Sequence, residues 1–195
     1  AHQGDNAAIA LAAVEAFFGR PLAPEVVEEA FASVTVPGRL EAVAHSPSVL
    51  LDAAHNPDGA EALTAALADS FTVVGSRYLV MGMLAQQDPV EMLTALGAPG
   101  FDLVIVCTPP GSPRARPAAQ VAEVAASMGI NAEVVPDPVE AVARAEALAE
   151  EEDLVVVAGS IYVIGAVRAA YTRQAEVQLR AQQAAEEHED DELGL

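Results

Sequence analysis

The stretch Val49-Leu50-Leu51-Asp52-Ala53-Ala54-His55-Asn56-Pro57-Asp58-Gly59 sets the reading of the whole chain. Its opening residues run apolar without a polar break, which suits a strand buried on both faces. Asp52 closes the run, and a short polar loop leads to Pro57. Proline is favoured at the first position of a helix, and Asp58 beside it complements the positive end of the helix dipole. The segment therefore reads as strand Val49–Asp52, loop, then helix Pro57–Ser70.

The same unit recurs downstream. Tyr78–Met83 reads as a strand and Pro89–Leu96 as a helix; Asp102–Cys107 and Pro117–Met128 follow in the same order. Ala132–Val135 precedes helix Pro138–Glu151, and Leu154–Ala158 precedes a last helix from Ile161 to about Arg180. Five strand–helix units in succession predict an α/β, Rossmann-like, mostly parallel and doubly wound sheet of five or six strands, flanked by helices, from about Pro37 to Arg180.

Residues before this region do not alternate. Asp5–Phe18 reads as an Ala-rich helix stopped by Gly19-Arg20-Pro21, and Glu25–Phe31 as a second helix after Pro24. This pair is expected to be peripheral, as the end of another domain, with Ser33–Gly38 as the crossing linker. The chain is thus expected to begin inside a longer protein. The expected division is 1–36 for the end of that domain and its linker, 37–182 for the α/β domain, and 183–195 for an acidic, disordered tail.

Composition narrows the function classes. Of 195 residues, 52% are hydrophobic but only 4% aromatic, so the core must be built from Ala, Val, Leu and Ile. The formal net charge is -20, which argues against a bare nucleic-acid binder, since such proteins need a basic surface to displace counterions. All nine basic residues are Arg. Without Lys the chain can supply neither a phosphate-loop lysine nor a Schiff-base lysine. The single cysteine, Cys107, ends an apolar run and reads as a buried structural thiol. No apolar stretch reaches membrane-spanning length and no signal peptide is visible, so the expected location is cytoplasmic, with neither nucleic acid nor membrane as partner.

In a doubly wound sheet, ligands gather beyond the carboxyl ends of the strands, and three polar clusters fall there. At Asp52–Gly59 a strand delivers a carboxylate, and the loop presents His55 and Asn56 just before a helix amino terminus whose free N–H groups suit an anion; a plain helix cap explains the same residues. Ala158-Gly159-Ser160-Ile161-Tyr162 offers a close turn and a hydroxyl, or again a cap. Pro37-Gly38-Arg39-Leu40-Glu41 places a fork-shaped cation after the linker, either for a phosphate or ribose or simply paired with a nearby acid.

Taken in order, His2-Gln3-x-x-Asn6-Ala7, Pro37-Gly38-Arg39-Leu40-Glu41, Leu51-Asp52-x-Ala54-His55-Asn56-Pro57 and Gly159-Ser160-x-Tyr162 resemble the folylpolyglutamate synthase / dihydrofolate synthase family of the Mur-ligase superfamily. The match runs from His2 to about Arg168, and the Asp-x-Ala-His-Asn-Pro element is its most specific part. The resemblance implies a carboxy-terminal glutamate-ligase domain of Mur-ligase type. It implies nucleotide contacts for Gln3, Asn6, Arg39 and Asp52, and glutamate contacts for Asp52, His55 and Ser160. Arg114 matches a recurrent arginine without an assigned role. Gln87 stands where the family often has a lysine, which puts a charge role there in doubt.

The reaction implied is ATP-dependent amide ligation, in which a folate or pteroate carboxylate becomes an acyl phosphate and the amine of glutamate attacks it. ATP and Mg²⁺ are the implied cofactors. The phosphate loop, the metal carboxylates and most of the folate pocket are expected in an ATPase domain upstream of position 1, so this chain alone is expected to be inactive, with no residue acting as nucleophile or metal ligand. Asp52, His55 and Ser160 are expected to converge at one edge of the sheet. Arg39 is expected to be exposed or loosely paired with an acid such as Glu41. A stand-alone Rossmann-like binding module and a cell-wall Mur ligase domain are the alternatives. A nicotinamide-dependent oxidoreductase is disfavoured, because His55-Asn56-Pro57-Asp58-Gly59 stands where Gly-x-Gly-x-x-Gly would be needed.

Overall fold

The computed structural model describes the backbone of residues 2–71 and 74–193; side chains at 2, 3, 5 and 184–193 lie outside the description. Helices α1 (His2–Phe18) and α2 (Pro24–Ser33) come first, then strands β1 (Glu41–His45) and β2 (Ser48–Leu51). Helix α3 (Pro57–Ser70), β3 (Arg77–Met81), α4 (Pro89–Ala95), β4 (Leu103–Val106), α5 (Ala118–Ser127), β5 (Ala132–Val134), α6 (Pro138–Leu148), β6 (Leu154–Ala158) and α7 (Ile161–Leu193) complete the chain.

The six strands form one sheet in the order β1-β2-β6-β3-β4-β5. All neighbours from β2 to β5 are parallel, and β1 alone runs antiparallel, against β2. The fold is therefore the mostly parallel α/β sheet that the sequence predicts. Side chains along each central strand alternate between two buried faces. Leu50, Leu79, Met81, Val104, Val106 and Val156 face one layer, which α3, α4 and α5 cover with Leu63, Met92, Leu93 and Val121. Val49, Leu51, Val80, Ile105, Val155 and Val157 face the other, covered by α6 and α7 through Val142, Val163, Ile164 and Val167. Each such side chain contributes roughly 1.5–3 kcal/mol by leaving water, so the aliphatic recipe suffices without aromatic bulk.

Helix starts follow local chemistry. Asn56, Asp88 and Asp137 cap α3, α4 and α6 through their side-chain oxygens, each followed by proline at the first helical position. Helices α1 and α2 lie outside the core. Helix α2 buries no residue, and Ile9, Phe17, Phe18 and Val26 are exposed.

Two elements depart from the sequence reading. Glu41–His45, whose Glu41 was read as part of a polar cluster, is an edge strand with a bulge between Ala42 and Ala44. Its residues, Glu-Ala-Val-Ala-His, carry little strand propensity; pairing with β2 makes the strand. The last helix does not stop near Arg180 but runs to Leu193, so the expected disordered tail over 183–195 is corrected to helix as far as the described residues extend. Beyond Gly165 this segment holds no Gly or Pro up to Leu193 and is rich in Ala, Gln and Glu, all strong helix formers.

Candidate functional site

Asp52 stands where β2 ends, at the carboxyl edge of the sheet, and is 7% exposed. Its carboxylate is held by the backbone: Oδ2 accepts the Leu40 N–H at 2.9 Å and Oδ1 the Ala54 N–H at 2.8 Å. The Ala53 N–H donates to the Gly38 carbonyl at 2.7 Å. The turn Pro37–Leu40 is thereby stitched onto the end of β2. Leu40 sits at φ 45 and Gly38 at φ 71, a conformation that a leucine adopts only when its surroundings impose it.

Between this turn and α3 opens a cleft of about 630 Å³. Its lining includes Asn6, Arg39, Asp52, His55, Asp58 and Asp69. The Arg39 guanidinium lies 3.8 Å from Asp52 Oδ1 and stays 38% exposed. Glu41, the acid named as an example of a partner, is engaged elsewhere: both its oxygens accept from Arg168 Nε, at 3.0 and 2.9 Å, and Oε2 also accepts the Gly38 N–H at 2.6 Å. Arg39 is thus part-exposed and loosely paired with an acid, as the sequence reading expects, but the acid is Asp52 and not Glu41.

His55 is exposed, and its Nδ1 lies 2.9 Å from the Ala53 carbonyl. A carbonyl can only accept, so Nδ1 carries the proton and Nε2 is left for a ligand. The helix terminus beside it is less open to anions than the sequence suggests. Asn56 Oδ1 takes the Gly59 N–H at 2.8 Å, Pro57 has none, and the Ala60 N–H goes to the Asn56 carbonyl. Three aspartates line the cleft against one arginine, so by itself it is a poor holder of a polyphosphate.

Ser160 begins the turn after β6 and is 2% exposed. Its Oγ accepts the Tyr162 N–H at 3.3 Å, the capping geometry, and it does not line the cleft. Its segment is nonetheless joined to that of His55, because the Gly159 N–H donates to the Ala54 carbonyl at 2.8 Å. Gly159, at φ 94, lies against β3: a Cβ there would stand 2.6 Å from the Gly82 carbonyl oxygen. Arg39, Asp52, His55 and Asn6 are thus brought to one cleft, while the Ser160 hydroxyl is turned into α7. The Gln3 side chain lies outside the described residues.

Two arginines escaped the sequence reading. Arg168 holds the Glu41 carboxylate. Arg116, rather than Arg114, holds the loop after β3: its Nη2 donates to the carbonyls of Ala85 at 2.6 Å and Gln87 at 2.9 Å. The Gln87 Oε1 accepts the Leu84 N–H at 3.0 Å, which a lysine could not do. Neither arginine's link has a local sequence signal, since Arg168 and Arg116 lie far along the chain from their partners. Cys107 is buried as expected; burial, then the negative charge of Asp137, pushes its thiol up to about 12. Among the described residues no group of three or more His, Cys, Asp or Glu could hold a metal ion, and no helix is long and apolar enough to cross a membrane.

Residues 38–161 match the Mur ligase, glutamate ligase domain. The chain belongs to that family. The match begins at Gly38, so the stitched turn carrying Arg39 lies at its start. A dihydrofolate synthase/folylpolyglutamate synthase of Mycobacterium tuberculosis is 49% identical over 120 residues, covering 58% of this chain and 24% of that relative. The structure of Mycobacterium tuberculosis folylpolyglutamate synthase complexed with ADP and AMPPCP superposes with a TM-score of 0.79 at 37% identity, over 87% of this chain and 40% of that one. A bifunctional folylpolyglutamate synthase/dihydrofolate synthase with Mn, AMPPNP and L-glutamate bound gives a TM-score of 0.68 at 32% identity, over 77% and 35% of the two chains. The chain therefore spans less than half the length of the relatives it matches.

Proposed function

We propose that the chain is the carboxy-terminal part of an ATP-dependent folate:glutamate amide ligase, of folylpolyglutamate synthase / dihydrofolate synthase type, working in the cytoplasm. The observation that carries the reading is the cleft at the carboxyl edge of β2, where Arg39, Asp52 and His55 meet in a glutamate ligase domain. Residues 1–36 are assigned to the end of the neighbouring ATPase domain; their exposed Ile9, Phe17, Phe18 and Val26 would be covered there.

In the reaction, a folate or pteroate carboxylate oxygen takes the γ-phosphoryl group of ATP, giving an acyl phosphate and ADP. The amine of glutamate attacks the acyl carbon, phosphate leaves with the bonding pair, and the amine loses its proton as the amide forms. This domain presents glutamate and closes over the nucleotide, which aligns the amine and keeps water from the acyl phosphate. His55 Nε2 suits either end of glutamate: unprotonated it accepts an N–H, protonated it donates to a carboxylate. Ser160 is proposed as a second glutamate contact, through a hydroxyl that would have to leave its capping bond. Arg39, with Asn6, Gln3 and Asp52 beside it, is assigned to the nucleotide side. A catalytic Mg²⁺ does not fit the residues present, because among the described residues no group of three or more His, Cys, Asp or Glu could hold a metal ion and the Asp52 carboxylate faces the Arg39 guanidinium. The metal is assigned to the ATPase domain, and no step here passes through it.

The deciding experiment is a phosphate-release assay of the full-length protein with ATP, a folate substrate and glutamate. Glutamate-dependent release by the whole protein, with none from residues 1–195 alone, is the expected result. Release by the isolated chain, or glutamate-independent behaviour of the whole protein, would overturn the assignment.

A further inference from the structure

We propose that Arg168, on α7, is a positioning residue for Arg39, a role that rests on the nucleotide-side assignment of Arg39 above. The first ground is the construction of the turn. Each backbone N–H around Arg39 has a dedicated acceptor: Gly38 gives its proton to Glu41 Oε2 at 2.6 Å, Arg39 to the Val36 carbonyl at 3.1 Å, and Leu40 to Asp52 Oδ2 at 2.9 Å. The first of these holds only while the Glu41 carboxylate stays in place. What keeps it there is Arg168, 127 residues away, whose Nε reaches both carboxylate oxygens. The adjoining α7 surface is also the seat of the turn, since a Cβ on Gly38 would stand 2.7 Å from Ile164 Cγ2. Two left-handed residues, Gly38 and Leu40, flank Arg39 and aim its side chain. A strained turn of this kind persists only where its surroundings over-determine it.

The second ground is competition for charge. Glu41 lies two residues from Arg39, in a chain of net charge -20. An unengaged Glu41 carboxylate would draw the Arg39 guanidinium away from the cleft. Arg168 occupies that carboxylate and leaves Arg39 to Asp52 and the cleft. Of the three ion pairs between described side chains, two therefore serve this one turn, and the third, Arg144 with Glu133, stands apart from it.

The test uses the full-length protein with four variants: Arg39→Ala, Arg168→Met, Arg168→Lys, and Arg39→Ala combined with Arg168→Met. Arg168→Met is expected to raise the apparent KM for ATP about three- to tenfold while moving that for glutamate less than about twofold. Arg168→Lys restores part of the loss, and Arg168→Met adds nothing once Arg39 is alanine, because it acts through that side chain. Should Arg168→Met not fold, Arg168→Gln, which can still give one N–H to Glu41, is expected to produce a smaller rise of the same kind. Additive effects of the two substitutions, or equal shifts in both KM values, would show that Arg168 only stabilises the domain and overturn the proposal. A raised KM in Arg39→Ala with a normal Arg168→Met overturns the positioning role alone. A normal Arg39→Ala, or a parent without glutamate-dependent activity, sinks the underlying reading and this proposal together.

Discussion

Arg39 and Asp52 lie 3.8 Å apart in the lining of the cleft, and each Asp52 oxygen is also held by a backbone N–H, from Leu40 or Ala54. The pair is therefore unequal: the aspartate is part of the scaffold, and the arginine is the side chain free to exchange partners. Removing the carboxylate strands two N–H groups in a region nearly closed to water. Asp52→Ala should cost about 2–4 kcal/mol of stability. Arg39→Ala should cost at most about 1 kcal/mol, since its contact is long and open to solvent, while lowering turnover of the full-length protein sharply. Chemical denaturation of the two variants and steady-state assays settle the ranking. Equal stability losses would make Arg39 a structural residue.

His55 offers a separate handle on the amino-acid side. With Nδ1 committed to the Ala53 carbonyl, only Nε2 meets a ligand. In the full-length protein His55→Ala should raise the apparent KM for glutamate more than that for ATP, with stability changed by less than about 1 kcal/mol because the ring is exposed. A defect confined to ATP would move His55 to the nucleotide side.

The contact between Gly159 and Gly82 joins the site to the middle of the sheet. At φ 94, with the Gly82 carbonyl oxygen 2.6 Å from where a Cβ would be, Gly159 has neither the dihedral freedom nor the space for a side chain. Gly159→Ala should destabilise the fold by roughly 3 kcal/mol or more through backbone strain and overpacking. Gly100→Ala, where nothing lies within 4 Å, is the matched control and should stay within about 0.5 kcal/mol of the parent. Comparable urea midpoints for the two would contradict the close-approach argument.

Alkaline pH should weaken the fold. Cys107 ionises near 9.0 when exposed but is pushed up to about 12 in the folded chain by burial and by Asp137. The Tyr171 hydroxyl is also raised, by burial first and then by its hydrogen bond to Glu146. Both folded-state values lie above the unfolded ones, so the stabilisation is fully present below pH 9 and is lost as pH climbs toward the folded values. Melting temperature should fall from pH 8 to pH 10.5, and Cys107→Ala should flatten part of that slope. In native protein at pH 8 the thiol should resist alkylation and react on unfolding. Rapid modification of the folded chain would contradict its burial.

The linear chain was enough to determine the repeating unit of strand, loop and helix, and with it the layers. Continuous aliphatic runs such as Leu103–Val106 and Leu154–Ala158 can only be satisfied inside a sheet covered on both faces, and proline with an acidic or amide cap marks where α3, α4 and α6 begin. The Asp52–Pro57 element was equally legible, because its residues are adjacent and their chemistry is local. Tertiary structure alone decided the order β1-β2-β6-β3-β4-β5, which seats β6 between β2 and β3 and joins the segments of His55 and Ser160. It also turned Ser160 into its own helix, made a strand of Glu41–His45, and gave Glu41 to Arg168 rather than to Arg39. The physical reason is common to these cases. Propensity and periodicity are properties of neighbours along the chain, whereas the partner of a carboxylate, a hydroxyl or an edge strand is chosen by whatever the packed layers bring alongside it.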